Sequence, residues 1–163
     1  MKQFREVYEK NEIMHYMFKD KFAHQTADHF AKDQLELLSE ISELAYETKC
    51  YKYWFKKESA AREVILEEYA DVVMMTLAFA TEAGVKLPAE TKIITEDNLV
   101  HQFLTIYRLA AVITPDVTKE HMLDLFANVL NLGKLLKFSE QEIKDAVLSK
   151  ITKTMNMFEQ GVI

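Results

Sequence analysis

The chain has 163 residues, of which 49% are apolar and 28% are charged, so it is long enough for one globular domain with its own core. Its formal net charge of −6 argues against a surface for nucleic acid or anionic membranes. The single cysteine, Cys50, excludes an internal disulfide and a thiolate-rich zinc site. We expect one domain over residues 1–163. We also expect a cytoplasmic location, because the N-terminal residues lack a signal-peptide core and no apolar run is long enough to span a bilayer.

Apolar residues recur at helical spacing along the chain, which predicts an all-α fold of about six helices with a four-helix-bundle core. Only three glycines and two prolines occur, which argues against hairpins. In chain order, the predicted helices run over 3–22, from Asp28 to about 55, from Ser59 to Gly84 with Pro88 close behind, and from Thr95 to the stretch 114–116. A fifth begins near Thr118, and a sixth follows Ser139, which forms a capping-box pattern with Glu142.

The second predicted helix carries a stripe of acids. At about 100° per residue, four glutamates fall in one narrow arc beside an apolar arc: Glu36, Glu40, Glu43 and Glu47. Two of the spacings are i, i+4, and each such like-charge pair costs about 0.2–0.5 kcal/mol. A solvated charged face is the alternative to a binding site, and this helix alone does not decide between them.

The third predicted helix places two acids, Glu68 and Asp71, in an otherwise apolar arc with Val72 and Phe79. Buried carboxylates are costly unless a cation or a metal compensates them, so this pair predicts a ligand site. Glu63 and Glu67 lie outside this arc and are expected in solvent. We therefore place the candidate site between the two acidic helices.

Two facing helices that each present acids at i and i+3 predict a four-carboxylate metal site made of Glu40, Glu43, Glu68 and Asp71. Oxygen ligands suit magnesium, with manganese as the alternative ion. Such an ion polarises a phosphoryl group and orients a water molecule, which is most of what phosphoryl transfer needs. Lysines that follow the acids are candidates for phosphate contacts, although lysines at a helix C-terminus also balance the helix dipole: Lys49, Lys52, Lys56 and Lys57.

The stretch ELLSEISELAYETKCYKYW, followed by REVILEEYADVV, resembles the all-α nucleoside triphosphate pyrophosphatases, which include the MazG-type enzymes and the dimeric dUTPases. The similarity is closest to the dimeric dUTPases over residues 35–84. It implies hydrolysis of dUTP to dUMP and pyrophosphate by a magnesium-dependent homodimer in which the four acids bind the metal. It also implies catalytic roles for Glu40 and Glu47, the latter in positioning the attacking water, and substrate contacts by Lys52, Trp54 and Lys150.

The chain departs from the family pattern at both ends. Lys10 and Ile13 stand at about the places of a Gln and an Asn or Asp on the first helix. In the last helix Lys150 and Gly161 fit the family pattern, but five polar or aromatic family residues are replaced: by Ile151, Thr154, Met157, Phe158 and Val162. We expect the reaction type to be kept and the discrimination among pyrimidine nucleotides to be weaker or shifted. The alternatives are a pyrophosphatase for another nucleoside triphosphate and a non-catalytic helical dimer that keeps the acids as a binding module.

One further pattern is the ExxH pair Glu12 and His15. Ferritin-like di-iron bundles need two such pairs, and the chain has no second one. A partly exposed histidine without a metal is therefore the expected outcome for His15.

Overall fold

The computed structural model describes residues 4–22, 28–86 and 91–163, which form six α-helices and no strand. This confirms the predicted all-α fold. In these ranges no helix combines the length and the apolar character that a bilayer crossing requires. The helices are α1 (Phe4–Lys21), α2 (His29–Thr48), α3 (Arg62–Glu82), α4 (Leu99–Ala111), α5 (Lys119–Leu135) and α6 (Glu140–Glu159).

Side-chain caps set two helix starts as predicted. Thr118 precedes α5, and Ser139 forms the capping box with Glu142 before α6. Gly84 follows α3 with a φ of 64°, a conformation that favours glycine. Asp28 precedes α2, but its φ is 61° and its side chain makes no capping bond. Gln3 and Pro88 lie outside the described residues.

Three predicted boundaries are wrong. Helix α2 ends at Thr48 and not near Phe55, because Lys49 adopts a left-handed φ of 55° and its N–H donates to the Tyr46 carbonyl. Helix α3 begins at Arg62, after Ala61 and not at Ser59. Helix α4 begins at Leu99 and not near Thr95, because the Asn98 side chain accepts the His101 N–H at 3.1 Å and caps the helix there.

Helix α3 lies at the centre of the fold and packs against α1, α2, α5 and α6. Its Tyr69 is fully buried and donates its hydroxyl to the Val129 carbonyl on α5 at 2.9 Å. Gly133 permits this approach, since a Cβ there would overlap the Tyr69 ring and hydroxyl. The predicted four-helix-bundle core stays a prediction.

Helices α2 and α3 form an antiparallel pair. At one end the rings of Phe30 and Phe79 meet edge to face, with centroids 5.4 Å apart. At the other end the Ala60 N–H donates to the Glu47 carbonyl at 2.9 Å. This pairing sets the acids of α2 opposite those of α3.

Candidate metal and nucleotide site

Three of the four predicted metal ligands lie together. Glu40 on α2 and Glu68 and Asp71 on α3 each offer a carboxylate oxygen, and these oxygens lie within 4.8 Å of one another. Asp71 is only 8% exposed. This acid cluster, defined as Glu40, Glu68 and Asp71, has the donor set and the spacing to hold a divalent metal ion.

Glu43 lies beside the acid cluster and is more exposed than its members. Its oxygens are not within the 4.8 Å group. Its charge nevertheless helps to raise the pKa of each of the three clustered acids. The structure therefore places Glu43 at the edge of the candidate site.

The electrostatics of the acid cluster favour a bound cation. Burial raises the pKa of Glu40 to about 7, and the charges of Asp71 and Glu43 add to this effect. Burial also raises the pKa of Glu68 and of Asp71. Burial and mutual repulsion therefore disfavour the charged forms of these carboxylates, and a divalent ion bound among them would offset both effects.

Helix α6 brings a lysine to the acid cluster. The Nζ atom of Lys150 lies 2.6 Å from Asp71 Oδ2 and 3.5 Å from Glu67 Oε1. Glu67 is 54% exposed, as expected for a solvent-facing acid, but it also pairs with Lys153 at 3.6 Å. The predicted substrate residue Lys150 thus lies directly at the predicted metal ligands.

The other predicted substrate residues, Lys52 and Trp54, lie in the largely exposed segment 49–61 between α2 and α3. Lys52 Nζ lies over the Tyr46 ring, 4.4 Å from its centroid. Trp54 is 65% exposed and contacts the Tyr53 ring edge to face. Glu47, at the end of α2, lies 3.8 Å from Lys49 Nζ and outside the acid cluster.

A pocket of about 260 Å³ adjoins the acid cluster. Glu36 lines it one helical turn from Glu40, and Met75 lines it one turn from Asp71. Its walls are mainly apolar, with Phe18, Phe22, Phe30, Met74 and Phe79 from α1, α2, α3 and the turn after α1. The clustered acids themselves do not line the pocket.

Charged side chains from α1 and α3 form one polar wall of the pocket. Glu82 Oε2 lies 3.1 Å from His15 Nε2 and 2.8 Å from Lys19 Nζ. Asp33 on α2 also lines the pocket, and burial raises its pKa. The pocket therefore combines a large apolar wall with a few polar groups, which is typical of sites for small organic ligands.

The first-helix residues at the pocket differ from those singled out in the sequence. Ile13 is 55% exposed and Lys10 is also exposed, whereas Met14 and His15 line the pocket. Asn11, one turn before His15, is fully buried, and its amide N and O have no hydrogen-bond partner within the described part of the chain. The sequence feature that could have pointed to His15 was its i, i+4 spacing from Asn11, which places both residues on one face of α1.

Two of the altered C-terminal positions also belong to this region. Thr154 lines the pocket, and the Phe158 ring packs 5.0 Å from the Phe18 ring. Ile151 is fully buried in the core. The last helix therefore contributes hydrophobic packing and one hydroxyl group at the pocket.

Comparison with protein families gives a match over nearly the whole chain. A protein-family model described as dUTPase matches residues 3–161, nearly the whole chain. Neither the curated proteins nor the solved structures contain a significant match.

Proposed function

Since the chain belongs to the dUTPase family, we propose that it hydrolyses dUTP to dUMP and pyrophosphate at a magnesium site made of Glu40, Glu43, Glu68 and Asp71. Family membership makes the chain a hydrolase of nucleotide diphosphate linkages and supports dUTP diphosphatase as its activity. The observation that carries the metal proposal is the acid cluster, whose carboxylate oxygens lie within 4.8 Å of one another.

The residues of the site fit magnesium. The donors are all carboxylate oxygens, which hard divalent ions prefer, and the cluster contains no nitrogen or sulfur ligand. A bound ion would polarise the phosphate oxygens and offset the charge that develops during hydrolysis. Manganese has the same ligand preference and is the expected substitute.

The remaining roles fall to the chain's own side chains. Glu40 and Glu47 are the proposed catalytic carboxylates, and Glu47 helps to orient the attacking water. Lys150 contacts phosphate, because its ammonium group already lies at the acid cluster, 2.6 Å from Asp71. Lys52 supplies a second positive charge. Trp54, exposed in the single chain, offers an aromatic face to the nucleotide.

The pocket beside the acid cluster is the proposed place of the nucleoside. Its aromatic and methionine walls suit a flat base, and its position one helical turn from the acids suits a ligand whose phosphates reach the metal. His15 and Glu82 are the groups that can hydrogen-bond the base or the sugar at the polar wall.

We also propose a homodimer. Large apolar side chains remain exposed on α2, on α4 and in the segment between α2 and α3: Leu35 is 69% exposed, Leu104 45% and Tyr53 94%. Exposed apolar surface of this kind is typical of an interaction surface, and a second copy of the chain covers it in the proposal.

The deciding experiment is a substrate panel of all common nucleoside and deoxynucleoside triphosphates with magnesium, with pyrophosphate release as the readout. We expect release that EDTA abolishes and that Glu68→Gln reduces strongly. Pyrophosphate release only from a nucleotide other than dUTP would support a pyrophosphatase with another substrate. No pyrophosphate release from any nucleotide would leave the non-catalytic binding module as the function.

A further inference from the structure

Lys150 pairs with the carboxylate of Asp71, one of the proposed metal ligands. Its ammonium lies 2.6 Å from Asp71 Oδ2, and the two side chains are 23% and 11% exposed. We infer that Lys150 is the counter-ion of the acid cluster in the metal-free protein and that metal binding displaces its ammonium from Asp71 toward Glu67. This inference rests on the proposed metal site.

The geometry makes the two cations competitors. An oxygen-bound magnesium or manganese ion lies at roughly 2.1 Å from its carboxylate ligand. An ammonium that stayed 2.6 Å from Asp71 Oδ2 would then lie within a few ångströms of an ion bound to either oxygen of that carboxylate. Because both Lys150 and Asp71 are mostly buried, water screens the repulsion between the two positive charges only weakly.

Glu67 gives the displaced ammonium another anion. It stands four residues before Asp71 on α3, and its Oε1 already lies 3.5 Å from Lys150 Nζ. It is more exposed than Asp71 and shares its charge with Lys153. A small rotation of the Lys150 side chain therefore keeps the lysine paired while it leaves Asp71 free for the ion.

Replacement of the Lys150 ammonium by a metal ion at Asp71 has two functional consequences. Without metal, Lys150 offsets part of the repulsion among Glu40, Glu68 and Asp71 and so supports the folded chain. With metal, its ammonium is released at the edge of the site, where it can contact a phosphate oxygen of the substrate. The same side chain thereby lowers metal affinity and prepares substrate binding.

Lysine labelling with an amine-reactive acetyl ester, read by mass spectrometry, tests the displacement. Displacement moves the Lys150 amine from the mostly buried Asp71 toward the more exposed Glu67, so manganese should increase its accessibility to the reagent and speed its labelling about threefold or more. Lys144 is the internal control, because it lies on the same helix with a similar side-chain exposure of 22% and pairs with Glu6 at 3.0 Å, and its rate should stay unchanged. An unchanged Lys150 rate in manganese-saturated protein would overturn the inference.

Calorimetric titration with manganese alone gives a second, independent measurement. Lys150→Gln should bind manganese about tenfold more tightly than the parent, because no ammonium has to leave. Lys153→Gln is the matched control on the same helix and should stay within about twofold of the parent. Equal or weaker binding by Lys150→Gln would contradict the displacement. Absence of manganese binding by the parent would instead defeat the proposed metal site, and the inference with it.

Discussion

His15 Nε2 lies 3.1 Å from Glu82 Oε2, so the carboxylate on α3 holds the imidazole on α1 in place beside the pocket. Lys19 shares the same carboxylate at 2.8 Å. A histidine fixed in this way presents a defined hydrogen-bonding edge, which a freely rotating side chain does not. This arrangement gives the pocket a polar group that the first-helix positions Lys10 and Ile13 did not suggest.

His15→Ala should reduce the preference for dUTP over dCTP by about tenfold, since a base that was hydrogen-bonded would lose its partner. The measurement is kcat/KM for the two nucleotides in parent and variant. Ile13→Ala is the control, because Ile13 is 55% exposed on the same helix and should leave the ratio unchanged. An unaltered ratio in His15→Ala would mean that the base does not contact this wall.

The parent enzyme should discriminate among pyrimidine nucleotides less strongly than a dedicated dUTPase. Ile151, Thr154 and Phe158 replace polar or aromatic residues of the family pattern, and strong rejection of a wrong base requires buried polar partners. Comparison of kcat/KM for dUTP, dCTP, dTTP and UTP checks this. A preference for dUTP above about a thousandfold, on the order of 4 kcal/mol, would show that other residues have taken over base recognition.

Glu68→Gln should lower kcat by about a hundredfold or more in saturating magnesium, because a misplaced ion no longer positions the phosphates. Asp71→Asn should act in the same direction. Glu63→Gln is the control, since Glu63 is exposed on the same helix. Steady-state pyrophosphate release measures all three, and full activity in Glu68→Gln or Asp71→Asn would end the metal-site proposal.

The metal-free protein should become less stable as the pH rises from about 5 to about 8. Glu40 has a pKa of about 7 in the folded chain against an ordinary value of 4.5, so the folded state binds this proton more tightly than the unfolded state. The stabilising contribution is complete below pH 4.5 and is lost as the pH passes about 7. Because Glu40 is only partly buried and solvent weakens the effect, the free energy of unfolding should fall by about 1–2 kcal/mol.

Urea unfolding in EDTA at several pH values tests this dependence. Glu40→Gln should show a flatter profile and should be at least as stable as the parent at pH 8, because it relieves the repulsion in the acid cluster. The exposed Glu63→Gln should keep the parent's slope. A parent that gains stability across this interval would contradict the raised pKa of Glu40.

The chain should sediment as a dimer at micromolar concentration, because Leu35 and Leu104 remain exposed on α2 and α4 of the single chain. Sedimentation velocity over a range of concentrations measures the assembly. A stable monomer throughout that range would count decisively against the homodimer.

The sequence was sufficient for the helical class and for the closeness of three acids, whose metal ligation is still a proposal. Glu40, Glu68 and Asp71 stand on helical faces that periodicity identifies, and the antiparallel packing of α2 and α3 then makes them meet. Helix ends were predictable where a side chain caps the backbone, as at Ser139 and Thr118. Hydrogen bonds between residues close in the sequence determine these capped helix ends, so the local sequence is enough to predict them.

The remaining features depend on tertiary contacts. Lysine seldom adopts a positive φ, so nothing in the sequence marked Lys49 as the end of α2. His15 gains its place from Glu82, which is distant in the chain and near only in the folded structure. Lys150 likewise meets Asp71 only because α6 packs against α3.

The exposed segment 49–61 joins two halves of the candidate site, with Glu40 before it and Glu68 and Asp71 after it. It contains lysines and aromatic residues, the cleavage points of trypsin and chymotrypsin, and exposed segments outside helices are where such proteases cut. A single cut there would sever the polypeptide between the acids, whereas the contacts between α2 and α3 lie outside the cut segment. The acids would therefore stay close together in a nicked chain whose two fragments remain associated, and the cut would act on the part of the proposed site that Lys52 and Trp54 form.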